Sequence, residues 1–304
     1  GRTLVYAVRF VNREFSGSDR ESRLTLANGF IYTGANRAGH DEPVQRTKET
    51  AMKTMATAMV LAAGCAVCGC VALGAAAERK TVVVWSEGTA PKNLYPADIN
   101  GAIAEGLRAS DALKGWEVVT ANLSDPEQGL PDDVLARADV LVWWGHKKHG
   151  EVKDALVDKI EKRVKEEGMG FIALHSAHFA KPNKRLMGTP CTFAAYVSDT
   201  TETMVKVAMP DHPIAKGVKA EFTVANDERY SDPYAVPPTD EVPFTGVQVH
   251  KNGTREPAKM GFCWKVGKAR FFYFQLGHET NPIYFDPEIR KIMANAVLWA
   301  AGTP

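Results

Sequence analysis

The chain has 304 residues, 45% of them hydrophobic and 24% charged, with 37 Lys and Arg against 36 Asp and Glu. Such a composition describes a soluble globular protein, long enough for a real core in one large domain or two small ones. The near-neutral balance, without a basic stripe and interleaved aromatics, argues against a nucleic-acid partner.

The most informative processing signal lies inside the chain. From Met52 the sequence reads "MKTMATAMVLAAGCAVCGCVALGAAAERK", with Lys53 followed by an uncharged run to Ala77. Ala75-Ala76-Ala77 before Glu78 meets the small-residue rule for a cleaved signal peptide. On this reading Met52 is the true start, residues 1–51 are upstream sequence without a fold of their own, 52–77 is a signal, and 78–304 is the exported domain. Two rivals stay open. Ala62-Ala63-Gly64-Cys65 resembles a lipobox, and the apolar run is long enough to remain as a membrane anchor, for which about 20 residues suffice. In each case the domain lies outside the cytoplasm, periplasmic or extracellular.

After Thr81, short apolar runs alternate with helical segments. "TVVVWSE", "WEVVTANL", "DVLVWWG" and "GFIALHS" read as strands, and "ADINGAIAEGLRAS" and "PDDVLARA" as helices. "EVKDALVDKIEKRVKEEG" places Val152, Leu156, Ile160 and Val164 on one helical face, with Asp158–Lys162 and Glu161–Lys165 paired outside. Strands without polar alternation, separated by helices, imply a parallel sheet covered on both faces. Beyond Met204 the texture turns to strands and short turns: "MVKVAMP", "EFTVAND", "VPFTGVQV", "MGFCWKV" and "ARFFYFQLG". "DPEIRKIMANAVLWAAG" closes the chain as a helix, with Asp286 as N-cap and Gly302 as stop. The expected fold is α/β and doubly wound, with helices on both faces of a mostly parallel sheet and additional strands in its C-terminal half.

Five of the eight histidines follow apolar strands: His146 and His149 after "DVLVWWG", His175 and His178 in "LHSAH", and His278, with Glu279, after "FFYFQLG". Ligands of open α/β sheets bind at the carboxyl ends of the strands, so the three places belong to one rim. Imidazoles with a carboxylate suit a divalent metal, zinc first, with about three protein ligands and one open position. Metal-free work, with His as acid or base and Glu279 orienting it, is the other reading. Ser176 lacks the glycine frame of a nucleophile elbow. Cys191 has no evident partner, and with Cys263 it leaves open a disulfide, two buried thiols or one metal ligand. Trp143 and Trp144 read as alternate faces of a strand, or as one ring that reaches the rim to stack on a sugar. His212 reads as a turn residue before Pro213, and His250 and His40 as exposed.

Taken together, "YPADINGAIAEGL", "DVLVWWGHKKHGEV", "GMGFIALHSAHFAKPNKRLMGTPC", "HPIAKG", "DERYSDPY" and "FFYFQLGHETNPIYFDPEIRKIMANAVLWAA" resemble the ThuA-like (trehalose utilisation) family over Thr81 to Ala301. The resemblance implies a flavodoxin-like core similar to class I glutamine amidotransferases, without their Cys nucleophile. It also implies a role in disaccharide catabolism, around sugars oxidised at carbon 3. His146, His149, His175, His178, Lys181, Cys191, His278 and Glu279 fall on the family's recurrent positions, and Glu228 and Tyr230 on its Glu-x-Tyr segment. "TFAAYV" stands where the family shows a Trp-Arg-Glu run, which puts any substrate contact made there in doubt.

The site expected from this reading has His175, His178 and Glu279 as catalytic groups. His146, His149 and His278 are metal ligands, with Cys191 as a further candidate. Lys181, Tyr230, Glu228 and Trp144 contact the substrate. A non-catalytic sugar-binding module on the same fold is the alternative to an enzyme. Cleavage after Ala77 makes Glu78 the first residue of an exported product. Mass spectrometry of that product checks it, and a lipidated N-terminus at Cys65 would decide for the lipobox instead.

Overall fold

The structure, a computed structural model, describes residues 79–303 apart from Asn226. The expectations for residues 1–51 and 52–77, and for His40, lie outside the described residues. The N-terminal part of the domain alternates strictly: β1 (Thr81–Ser86), α1 (Asp98–Arg108), β2 (Glu117–Asn122), α2 (Asp132–Arg137), β3 (Val140–Trp144), α3 (Asp154–Lys165), β4 (Gly170–Leu174) and α4 (Lys181–Met187). Strands then dominate, as β5 (Phe193–Val197), β6 (Thr200–Val207), β7 (Glu221–Ala225), β8 (Arg229–Tyr234), β9 (Glu241–His250), β10 (Arg255–Val266) and β11 (Ala269–Phe274), before α5 (Pro287–Ala300). Among the described residues, no helix is long and apolar enough to cross a membrane.

Nine strands form one sheet in the order β2-β1-β3-β4-β11-β10-β9-β6-β7. The run from β2 to β11 is parallel throughout, and each pairing from β11 to β7 is antiparallel. This is the doubly wound, flavodoxin-like core expected from the apolar runs, with β11 returning from the far end of the chain as its fifth parallel strand. β5 and β8 pair separately as a two-stranded ribbon.

Every residue of β1, β3 and β4 is buried, because both faces of these strands carry helices. Val82, Val84, Val140, Val142, Trp144, Ile172 and Leu174 pack toward α1 and α5. Val83, Trp85, Leu141, Trp143, Phe171 and Ala173 pack toward α3 and α4. The adjacent tryptophans Trp143 and Trp144 therefore serve opposite layers, as a period of two requires. Trp143 stacks on its in-register neighbour Trp85 with ring centroids 3.7 Å apart. Val152, Leu156, Ile160 and Val164 are buried as their spacing implied. Glu161 pairs with Lys165, but Asp158 reaches across to Arg185 on α4 instead of to Lys162.

Asp286 caps α5 by accepting from the N–H groups of Glu288 and Ile289. Cys191 and Cys263 are separate, buried, free thiols, which closes the disulfide reading. His250 is buried, between Asp199 and Glu256, and not exposed as its sequence context suggested. His212 does hold a turn: its Nδ1 accepts from the Ile214 N–H.

Gly246 marks the tightest point of the antiparallel half, where a Cβ would lie 2.1 Å from the Met204 carbonyl oxygen on the paired strand. Because β9 is held on both sides, that contact cannot relax without moving β6. Gly246→Ala is expected to cost about 1–3 kcal/mol, the range of other overpacked cores. Urea denaturation measures it, and an unchanged midpoint would contradict this packing.

Candidate metal centre

The strands β1, β3, β4 and β11 are neighbours that run in the same direction, so their carboxyl ends form one rim. Glu87 follows β1, His146 follows β3, His175 follows β4 and His278 lies four residues beyond β11. Glu228 arrives from above, between β7 and β8. One ligand atom from each of His146, His175, Glu228 and His278 lies within 4.8 Å of the others. His175 Nε2 is 3.2 Å from Glu228 Oε2, His278 Nε2 is 3.1 Å from Glu228 Oε1, and His146 Nε2 is 3.9 Å from the same oxygen. A tetrahedron with bonds of about 2.0–2.1 Å has edges of about 3.3 Å, so these atoms stand close to the separations that one ion needs.

Behind the rings, each Nδ1 is committed. His146 Nδ1 meets Glu279 Oε2 at 3.0 Å, and His175 Nδ1 meets the Gln275 carbonyl at 3.3 Å. Those partners only accept, so they place the proton on Nδ1 and free Nε2 as a donor of electrons. His278 differs. Its Nδ1 accepts the Thr280 N–H at 3.2 Å, which leaves the proton on Nε2 facing Glu228. Thr280 Oγ1, 2.7 Å from the same Nδ1, can accept that proton if the ring changes tautomer. His175 Nε2 is buried and has no hydrogen-bond partner of good geometry despite its approach to Glu228.

Charge is arranged to match. Burial works to raise the pKa of Glu228, but the His175 and His278 imidazoles and the Tyr196 hydroxyl outweigh it and hold the carboxyl far below its usual range. Burial opposes protonation of His278, and Glu228 reverses that, leaving its pKa raised. For Glu279, burial is overcome by His146 and Lys147, which hold it at about 2. Tyr196 and Tyr230 each donate to Glu228, at 2.7 Å to Oε1 and Oε2 respectively, and Ser176 Oγ backs the Tyr230 hydroxyl at 2.7 Å. His146 and His278 each keep 17% side-chain exposure, so the centre opens on their side.

Of the residues singled out in the sequence, His146, His175, His278 and Glu228 meet in one cluster, and Glu279 lies directly behind His146. Glu228, expected at the substrate, thus stands within the group that could hold a metal ion. His149 stands apart, its Nδ1 3.4 Å from Glu87 Oε1. His178 is a core residue: fully buried, with Nδ1 3.1 Å from the His175 carbonyl and 3.2 Å from the Tyr273 hydroxyl, and pushed down to about 3 by burial. Cys191 is buried beside Thr189, outside the cluster, and burial raises its thiol pKa. Trp144 is fully buried and donates to the Gly277 carbonyl at 2.9 Å, so it supports the rim and offers no face to a sugar. Tyr230, 3% exposed, is spent on Glu228 and Ser176. Lys181 ties α4 to Val152 and Asp154, at 2.7 and 2.9 Å.

Two carboxylates that the sequence reading passed over hold the loops. Glu87 Oε2 accepts three successive backbone N–H groups, from His146, Lys147 and Lys148, at 2.7–2.9 Å. Gly145 is needed beneath it, since a Cβ there would lie 2.9 Å from Glu87 Oε1 and 3.2 Å from His149 Nδ1. Asp227 accepts from the N–H groups of Gly277, His278 and Glu228, with its side chain fully buried. A signal existed for both: each is an acidic residue at a strand exit, Glu87 in "VVVWSE" and Asp227 in "EFTVAND".

His175 itself has φ 55°, in the left-handed region, where β4 breaks into a single turn of helix over His175–Phe179. A non-glycine residue held there stores about 1–3 kcal/mol, strain of the kind that gathers at functional sites.

A doubly wound α/β domain with three imidazoles and a carboxylate at its strand ends is the class that fold and site define. The family described as ThuA, trehalose utilisation, matches residues 81–300, and the chain belongs to it. Among solved structures, a ThuA-like protein from Bacteroides uniformis is 18% identical, covering 74% of this chain and 93% of its own, with a TM-score of 0.51. One from Parabacteroides merdae is 16% identical, covering 74% and 91%, with a TM-score of 0.53. Among curated proteins, none matches the sequence.

Asp227→Ala would leave the N–H groups of Gly277, His278 and Glu228 without their acceptor. Each orphaned buried group costs about 1–3 kcal/mol. The variant is expected to lose at least about 3 kcal/mol in urea denaturation, whereas a loss below about 1 kcal/mol would show that Asp227 does not hold the rim.

Proposed function

We propose that the chain is an exported, metal-assisted enzyme of carbohydrate breakdown, with His146, His175, His278 and Glu228 as the ligands of one divalent ion. The observation that supports this most is that Nε2 atoms from three strand ends face one carboxylate while every Nδ1 is committed elsewhere. The orphaned His175 Nε2 fits the same reading, because a buried acceptor without a partner is costly unless something binds it. Imidazole and carboxylate donors favour zinc. Bound there, the ion would supply Lewis-acid polarisation of a carbonyl or water oxygen.

The remaining groups divide the work. Glu279, kept ionised by His146 and Lys147, orients the His146 ring and takes no part in substrate proton transfer. Tyr196 and Tyr230 hold the two oxygens of Glu228 in fixed directions. His278 can pass its Nε2 proton to the Nδ1 side, toward Thr280, when Nε2 is needed as a ligand. Substrate reaches the centre over the partly exposed His146 and His278. Membership of the trehalose-utilisation family supports a sugar substrate, and the resemblance in sequence suggests a keto-sugar or its glycoside, whose carbonyl is a suitable target for such a centre. Export through residues 52–77 belongs to the same proposal.

The test is zinc titration by calorimetry after dialysis against EDTA, with turnover of 3-keto-disaccharides followed in parallel. One ion per chain is expected. His175→Ala and Glu228→Gln should lower affinity by more than the about 10–100-fold typical of residues that merely support a ligand, and Glu279→Gln should fall within that range. Turnover should vanish with the ion. Sugar binding or turnover that is indifferent to metal would refute the proposal.

A further inference from the structure

We infer that Tyr196 forms a stacking platform for a pyranose ring at the mouth of the His146–His175–His278–Glu228 centre; the inference rests on the carbohydrate reading above and adds a residue that binds the sugar itself.

Tyr196 is 57% exposed, the most exposed large aromatic among the described residues. Single exposed apolar residues are ordinary on protein surfaces, so exposure alone decides nothing. Phe179 and Phe285, also exposed, each carry a cation over the ring: Lys184 Nζ at 5.1 Å and Arg290 at 5.5 Å. Tyr196 is tied to the centre. Its hydroxyl donates to Glu228 Oε1 at 2.7 Å, the same oxygen that faces His146 and His278, which are the two rings open to solvent.

The register of the small ribbon produces this placement. Tyr196 on β5 lies opposite Tyr230 on β8, two residues after Glu228. The two rings stack with centroids 5.7 Å apart and planes at 28°, so Tyr230 backs one side of the Tyr196 ring and solvent has the other. Phe193, three residues earlier, stacks on Tyr234 at 4.0 Å and anchors the ribbon. A rigid aromatic fixed at its hydroxyl end offers a flat apolar face at small entropic cost. A pyranose presents a matching surface on its C–H face, while its hydroxyls and carbonyl point to the polar groups alongside. A few convergent polar groups beside an aromatic wall is the usual make-up of a small-molecule site. The segment that carries this ring is "TFAAYV".

The experiment measures binding of trehalose and of 3-keto-trehalose by calorimetry and saturation-transfer NMR, for the full zinc-loaded chain and three variants. Tyr196→Ala removes the platform, Tyr196→Phe removes only the hydroxyl, and Tyr196→Trp restores a ring. Circular dichroism and zinc titration of each variant, with sugar affinity read at saturating zinc, separate loss of the ring from loss of the hydroxyl that supports Glu228. The expected result is a loss of at least fivefold in affinity for Tyr196→Ala, a clearly smaller loss for Tyr196→Phe and recovery toward the native value for Tyr196→Trp. Pyranose C–H protons should be saturated from the aromatic region in the native protein and in the Tyr196→Phe and Tyr196→Trp variants, and not in Tyr196→Ala. Less than a fivefold loss in Tyr196→Ala, or Tyr196→Phe falling as far as Tyr196→Ala, overturns the platform and leaves the metal proposal standing. A native protein that binds neither sugar overturns the platform together with the carbohydrate reading on which it rests.

Discussion

A carboxylate with only 6% of its side chain exposed must be compensated by its surroundings, and Glu228 draws partners from every part of the domain: Tyr196, Tyr230 and His278 donate to it, and the Nε2 atoms of His146 and His175 face it. Three imidazoles come from the ends of β3, β4 and β11, and two phenols from β5 and β8. An unpaired charge at such depth would cost several kcal/mol, so the surrounding elements have to converge there or the fold must give up the charge. This requirement links the parallel core to the antiparallel half. The core supplies the rim, and the long excursion through β5 to β8 lowers a carboxylate onto it.

The loops that meet at Glu228 are held by backbone contacts, not by the imidazoles themselves. Glu87 gathers the N–H groups of the loop after β3, and Asp227 gathers those of the loop after β11. Gly277 has φ +127°, a conformation for which glycine is suited, and a Cβ there would collide with the Tyr284 hydroxyl. Each ring then comes to its place on a backbone that is already fixed. Sites held in this way keep their geometry when a ligand comes and goes.

Much of this could be read from the residues. Unbroken apolar runs gave the four central strands and their direction, and the rule that ligands gather at strand ends brought His146, His175 and His278 together. His149 and His178 follow the same strands but leave the cluster, because neither the His146/His149 nor the His175/His178 pair lies on a regular helix. With His175 at φ 55° the chain turns sharply, and His178 enters the core between Phe193 and Tyr230. Glu228 was visible only as part of a recurrent Glu-x-Tyr segment. Its place among the three imidazoles depends on contacts across 50 or more residues to His175 and His278, for which local pattern carries no signal. Trp144 and Lys181 show the opposite error. Both lie beside site residues in sequence, yet one fills the core and the other ties two helices together.

The central claim is that three imidazoles and one carboxylate hold a single ion. X-ray absorption at the zinc edge of the reconstituted protein tests it most directly. The account requires a first shell of nitrogen and oxygen only, at about 2.0–2.1 Å, with outer-shell scattering from three imidazole rings, falling to two rings in His175→Ala. A sulfur neighbour at about 2.3 Å, which would bring Cys191 into the shell, or scattering from fewer than three rings in the native protein, would contradict it.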